Sequence, residues 1–591
     1  MKQKKDRIRC EAATERLLRI VIAVLMIFFM SFLVIYSLIQ TTDMTVTASE
    51  SFGLGSSYNR DFENFAFNSD SIIINLISLA AGIMLCFIAI PRIKHISYLK
   101  KQLFIAFWVM ITGCIWVHSA RSLPSHDSWF IATAGYEFAH DRYEWVYERD
   151  FYYFARFPFQ LGISFLYEIV LRIFALFSDE KSFMPLEYLN VGMLAISEMI
   201  VIAVNRRIFR DRRVTDLTFL LLIFCTQPLL ISNFIYGIIP GLMFALIAVY
   251  SLIRYFESNG LHWILLIFLP AAIAVMLKSN YIIFAIAIAA IVIAKMPERK
   301  KYLMDTVIVL SVLVVSLFIQ HGVCYMYYER ADAMPVDALP FNSWINIGLS
   351  ENPGGPGWYD DAYASEIFFK NGMNEAETKK VISDSIRKRI RYFAAHPYYT
   401  RNFFTRKFLS LWNETSYQSI WNSKIRPILN AKRGPLAEWI CGPGEYPMKR
   451  YMDKYAQVIF VGVLAGVISS FRRKRLLELF FPLVILGGML FHLMSEAKSQ
   501  YAIPYFILMS GYAAFGICRL YDLSREKLGH KEWAKRLFLF GTPAAEPVPE
   551  NIAAAPAALP ASGKKEEEKK PEPVTAAAKC KKTKKSSKKE K

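Results

Sequence analysis

An acid stands where an apolar stretch gives out. His126-Asp127 follows the apolar residues 102–120 and precedes Ser128–Ala139, whose small and aromatic residues suit a helix at a membrane interface. A carboxylate held there could accept a proton from a hydroxyl, with His126 beside it. Asp is also a favoured N-cap, and spacing alone puts capping ahead of catalysis. Lys278, in Leu277-Lys-Ser-Asn280-Tyr281, falls at the junction of two apolar segments. A charge near a membrane boundary is often functional, but a Lys stem also snorkels, and the two readings weigh about equally. Glu496-Ala-Lys498-Ser-Gln500-Tyr501 adds a carboxylate, a cation and two neutral hydrogen-bonding groups, although Lys498 could simply pair with Glu496 in a tight turn. Arg156 is the cation of an aromatic run from Asp150 to Gly162.

The elements that must position them are membrane helices. The hydrophobic fraction of 54% exceeds that of ordinary soluble domains. Stretches near the ~20 apolar residues that a helix needs to cross a bilayer recur, as in Leu17–Ile39, Ile72–Ile90 and Leu217–Ile231. The expected fold is an all-α polytopic membrane protein. The first stretch follows a basic start and precedes further spans, so it reads as a retained signal anchor, with the mature chain beginning near Met1. Net charge is +20, and much of it sits in a Lys-rich, Pro/Ala-rich tail that composition marks as disordered. The tail lacks interleaved aromatics, which argues against nucleic acid and for anionic membrane lipids as its partner. The eight Cys show no C-x-x-C spacing, and Cys324 and Cys441 could pair if their segment is extracytoplasmic.

Apolar segments lie near 17–39, 71–91, 102–120, 158–177, 187–205, 215–233, 236–255, 261–277, 281–295, 302–320, 453–470, 476–493 and 501–520. The basic loops Arg92–Lys101, Arg206–Arg213, Lys295–Lys301 and Arg472–Arg475 should share the cytoplasmic side. They do so only if 158–177 does not span. That segment carries Glu168 and Arg172, each costing roughly 2.5–3.5 kcal/mol at a bilayer centre, so an interfacial helix suits it. About twelve spans follow, thirteen if 158–177 crosses, with both termini cytoplasmic in the cell membrane. The organisation expected is a basic N-terminus (1–16), a bundle (17–320) with an outer loop at 121–186, a small, mainly helical outer domain (321–452), the last spans (453–520) and a cytoplasmic tail (521–591). Within the outer domain a helix near Glu375–Ala394 should stop at His396-Pro397. Asn413-Glu-Thr415 matches a glycosylation acceptor, which matters only in a host that modifies such sites.

An Asp beyond an early span, an amphipathic helix, and then Tyr153-Phe-Ala-Arg156-Phe-Pro158-Phe-Gln160-Leu-Gly162 resemble the first outer loop of the GT-C membrane glycosyltransferases. Within that superfamily the chain is most similar to the group of bacterial proteins related to protein O-mannosyltransferases. Trp344-Ile-Asn-Ile-Gly348-Leu349 with Gly357-Trp-Tyr-Asp-Asp361, and Glu496-Ala-Lys498-Ser-Gln500-Tyr501-Ala-Ile-Pro504, look like segments of Gram-positive members. The resemblance covers most of residues 100–520 and implies a GT-C-like helical bundle. It implies inverting transfer of a sugar from a polyprenyl-phosphate donor to an outer-face acceptor hydroxyl on a glycan, lipid or protein. Asp127 would then be the base. Arg156, Lys278, Asn280, Glu496, Lys498, Gln500 and Tyr501 would line the donor phosphate and sugar, with His126 and Trp344 as further candidates. A sugar phosphate carries its own leaving group, so one base and a few cations suffice where a glycosidase needs two carboxyl groups. The turn Phe234-Ile-Tyr236-Gly237-Ile238 departs from the family, which is expected to carry an acid after the Gly. No cofactor is required, and a divalent cation is left open without a ligand cluster to favour it. The competing classes are a transporter or flippase of lipid-linked saccharide and a polysaccharide polymerase or ligase.

Overall fold

A chain surrounded by hydrocarbon can satisfy its backbone only inside helices or closed barrels, and helices make up almost all of this structure. The computed structural model describes residues 2–47, 62–146, 153–178, 180–299, 301–351, 354–473 and 475–538. Asp150 and the Lys-rich tail beyond 538, with the disorder expected of it, lie outside the described residues. α1 (Lys2–Ile39) leads into an antiparallel hairpin of β1 (Gln40–Thr47) and β2 (Phe62–Ser69), with Gln40 opposite Ser69. The hairpin follows the first apolar stretch directly, and its Thr-rich first strand has the composition for it. α2 (Ile72–Ala89) and α3 (Tyr98–Ala120) each start on a serine cap, Ser71 and Ser97. Then come α4 (Asp127–Ala139), α5 (Tyr153–Arg156), α6 (Leu161–Ala175), α7 (Met184–Phe209), α8 (Arg212–Ile223), α9 (Thr226–Leu230), α10 (Ile238–Ser258), α11 (His262–Leu277), α12 (Ile282–Arg299) and α13 (Tyr302–Arg330). A polar region holds α14 (Asn342–Leu349), α15 (Ser365–Lys370), α16 (Glu375–Ala395), α17 (Pro397–Trp412), α18 (Ser419–Ile425) and α19 (Pro435–Ile440). α20 (Glu445–Arg473), α21 (Phe480–Met494), α22 (Ile503–Leu528) and α23 (Glu532–Phe538) close the described chain.

Among the described residues eleven stretches are long and apolar enough to cross a membrane, Pro158–Ala175 among them, and α11 is a shorter apolar helix. The run expected at 215–233 is not one helix. It breaks at Phe224-Cys225 into α8 and α9, because the ring of Pro228 would meet the carbonyl four residues back and Pro has no N–H to give it.

Contacts at one end of the bundle decide how many runs cross it. Arg212 donates to the backbone oxygens of Lys94 and Ile96. Lys101 pairs with Asp216 at 2.7 Å, Arg213 with Asp522 at 2.6 Å and Arg207 with Glu257 at 2.6 Å. Arg299 reaches Asn259, and Lys295 reaches Glu15. The start of α1 and the turns after α2, α7, α10 and α12 therefore gather at one basic end. α3 leaves that end and α7 returns to it, so α6, which lies between them in the chain, adds no crossing. α6 packs at the far end, where Glu168 is buried and accepts from Tyr327, from Arg172 at 3.0 Å and from Arg330 at 3.3 Å. The two charges that made a span costly are thus paired with each other. Setting α6 aside, and counting α11 and the α8–α9 pair, twelve runs among the described residues pass from end to end.

The polar region sits at the end opposite the basic turns. Its α16 begins on Asn374, which accepts the Glu377 N–H at 2.9 Å, and stops at His396-Pro397 as expected. One pairing the sequence left open is not made here, and one sequence motif is buried. Cys324 and Cys441 are both free: Cys324 faces the Pro158 carbonyl from α13, whereas Cys441 is packed in the cluster around Trp116. Asn413 is 2% exposed, and its amide donates to Gln40 O and Thr42 Oγ1, so the glycosylation motif is closed to any modifying enzyme in the folded chain.

Candidate active site

Asp127 is the first residue of α4, and the cap position before it belongs to His126, whose backbone is at φ 50° and whose side chain makes no cap bond. The capping role therefore does not go to Asp127. Its carboxylate accepts from the Tyr236 hydroxyl at 3.4 Å, a long bond, and the positive end of α4 favours its charge. Gln160 Nε2 donates to the same phenol at 2.9 Å, so Gln160, Tyr236 and Asp127 form a directed chain. Tyr153 closes the other side, stacked on Phe130 with centroids 4.3 Å apart. Burial and then the neighbouring Asp127 charge push the Tyr236 and Tyr153 phenols well above their ordinary range, which keeps both as O–H donors.

Lys278 follows the last turn of α11 in extended conformation, at φ −158° and ψ 117°. Its ammonium lies 4.2 Å from the ring centre of Tyr236 and 4.8 Å from that of Tyr501, a cation held between two aromatic faces. Tyr236 therefore touches both the acid and the cation. The side chain is partly exposed toward a recess lined by Ile238, Asn280, Tyr281, Tyr501 and Tyr505. Protein around it excludes most water, and this burial lowers Lys278 to about 8 against the opposing pull of Glu496 and Asp127. Glu496 is raised by the same cause, burial, against Lys498 and Lys278. Tyr501 donates to Glu496 Oε2 at 3.3 Å, and the buried His492 ring stacks beside Tyr501 while its Nδ1 meets Glu496 O at 3.0 Å.

Asp127, Lys278, Asn280, Glu496, Lys498 and Tyr501 thus come together, drawn from separate parts of the chain. The other candidates do not join them. Arg156 is turned into α15, where it donates to Ser365 Oγ at 3.2 Å and lies 3.7 Å from Asp361. Asp361 also accepts from the Tyr359 hydroxyl at 2.9 Å, and that phenol lies near enough to Asp127 to feel its charge. Trp344 packs against Phe157 and Phe159, each at 5.9 Å. Gln500 accepts from Asn422 and, through its N–H, reaches Gln418, tying its loop to α18. His126 is exposed beside Asp127. Tyr236, Tyr153 and Tyr359 escaped the sequence reading, because a tyrosine at a membrane interface is ordinary. Tyr236 lies in the very turn that was searched for an acid. Among the described residues no group of three or more His, Cys, Asp or Glu could hold a metal ion.

No family model matches the chain, and no curated protein matches it. Among solved structures it is similar to the archaeal oligosaccharyltransferase AglB from Archaeoglobus fulgidus, in complex with an inhibitory peptide and a dolichol-phosphate. The identity is 12% and the TM-score 0.36, over 72% of this chain and 52% of that one, so the chain spans about half the length of that neighbour. The functional reading accordingly rests on the geometry of the site.

Proposed function

We propose that this protein is a membrane glycosyltransferase that moves a sugar from a polyprenyl-phosphate donor to an acceptor hydroxyl, with inversion at the anomeric carbon. The observation that carries the reading is Tyr236, which binds the Asp127 carboxylate with its hydroxyl and the Lys278 ammonium with its ring, beside a recess at the end of the bundle opposite the basic turns. With those turns in the cytoplasm, the site faces outward in the cell membrane, where a lipid-linked donor can enter from the outer leaflet. The acceptor oxygen attacks the anomeric carbon from the face opposite the phosphate and gives its proton to Asp127. The bond from that carbon to the phosphate oxygen breaks, and the electron pair leaves on the phosphate, whose growing charge Lys278 and Lys498 hold. Tyr236 and Gln160 orient the base, and Glu496 steadies the two cations. The acceptor class is a glycan, a lipid or a protein hydroxyl.

The test is transfer of radiolabelled sugar from polyprenyl-phosphate donors to a membrane extract by purified wild type and Asp127→Asn. Label moved by wild type and reduced at least about a hundredfold in the variant is expected for loss of a general base. Equal transfer by both would remove Asp127 from the mechanism. No transfer by either, from folded protein and any donor, would turn the reading toward transport.

A further inference from the structure

Two segments singled out in the sequence, Trp344–Leu349 and Gly357–Asp361, meet the residues that lead into a third, Glu496–Pro504, at a residue that belongs to none of them. Lys407, on α17, is 1% exposed, and its ammonium donates to Gly348 O, to Leu493 O at 3.0 Å and to Ser495 O at 2.8 Å. An ammonium has three donors and no acceptor, so every donor is used. The oxygens it takes are among those a helix leaves unpaired: Gly348 lies in the last turn of α14, and Leu493 and Ser495 lie at the end of α21. Both helix ends carry partial negative charge, which favours a buried cation between them. Burial pulls Lys407 well below its ordinary range, with Glu496 opposing.

The backbone around this cation is packed without slack. A Cβ on Gly348 would stand 2.4 Å from the carbonyl carbon of Ser495, and one on Gly357, which is at φ +76°, would stand 2.5 Å from Lys407 Cε. Gly357 O accepts the Ala497 N–H at 2.8 Å, and Ala497 is fully buried. The polar region therefore grips residues 493–497 on three sides. The residues on either side of Ala497 are Glu496 and Lys498.

We infer that Lys407 is a positioning residue: through it the polar region between α13 and α20 holds the loop that presents Glu496 and Lys498 to the site. The inference rests on the proposed transfer for its consequence in activity, but the clamp itself can be read without activity. An Ala497→Cys variant of the full chain is treated with a soluble maleimide, and the labelled peptide is quantified by mass spectrometry. The same measurement is made with Lys407→Met added, and separately with Gly348→Ala added, which leaves the cation in place and wedges the loop. Transfer kinetics are followed for Lys407→Met and Gly348→Ala, each alone. The expected result is a protected thiol in the Ala497→Cys chain, labelling at least tenfold faster in both double variants, and kcat/KM for the donor at least tenfold lower for both single substitutions.

Unchanged labelling with lost transfer would overturn the inference, because Lys407 would then act on the chemistry without moving the loop. Faster labelling with unchanged transfer would overturn it too, since the order of the loop would not matter. If Lys407→Met fails to fold, Gly348→Ala decides by the same two readings. If wild type transfers nothing, the proposed function fails while the labelling still reports whether Lys407 holds the loop.

Discussion

Lys278 is the residue whose charge can be titrated in a useful range. Burial brings it to about 8, so the cation is present below that pH and is lost as pH rises through it. A neutral amine holds a phosphate less well. The KM for the donor should therefore rise above about pH 8 while staying flat through the range below it. A hydrogen bond to a charged group contributes about 1.5–3 kcal/mol, so Lys278→Met should raise that KM roughly 10- to 100-fold and abolish its alkaline upturn. Steady-state kinetics from roughly pH 6 to 9.5, a span that brackets this titration, check both. An unchanged upturn in Lys278→Met would assign the titration to another group. Asp127, Lys278, Glu496 and Tyr501 were legible because each stands where an apolar run ends, which puts it at a membrane boundary. Tyr236 was not, since nothing in its spacing tells a tyrosine that bridges an acid and a cation from one that anchors an interface. Arg156 shows the converse, a lone cation in a motif that the fold uses to hold α15.

At the scale of elements, α22 is the axis of the bundle and α20 its close partner. Lipid tails are as apolar as leucine, so helices in a bilayer associate by tight packing, and small residues at the crossing permit it. Gly516 is such a point: a Cβ there would stand 1.8 Å from Gly462 O and 2.5 Å from Gly466 N. Overpacking costs about 1–3 kcal/mol where side chains can yield, and here backbone is the obstacle. Gly516→Leu should lower the thermal midpoint in detergent and cut expression, whereas Gly192→Ala, whose Cβ meets nothing within 4 Å, should do neither. Equal midpoints for the two variants would mean that α20 and α22 do not cross as described. Most helices were legible from apolar runs of membrane length. The α8–α9 break was signalled by Pro228 and missed because the run was judged by hydropathy. The β1–β2 hairpin was missed because it follows a span directly and part of it is polar.

For the whole molecule, the contacts among basic turns place them at one end, and the candidate site lies at the other. Arg210→Cys, exposed in the turn between α7 and α8, should react only with reagent admitted to the cytoplasm. His126→Cys, exposed beside Asp127, should react from outside. Labelling of both from one side would place a crossing in α6 and move the site to the face of the basic turns. The interfacial reading of 158–177 came from the sequence through the positive-inside count and the cost of Glu168 and Arg172. How those two charges are satisfied came only from the fold.

The sequence by itself determined the class of molecule, because a bilayer limits a chain to a few solutions and writes them as runs of apolar residues with basic loops between. It also determined which ionisable residues stand at helix ends. Which of those residues share a pocket, and that Lys407 ties two motifs to the residues leading into a third, was decided by tertiary structure alone. Such contacts join residues far apart in the chain through side-chain direction and helix crossing, and neither is a property of a local stretch of sequence.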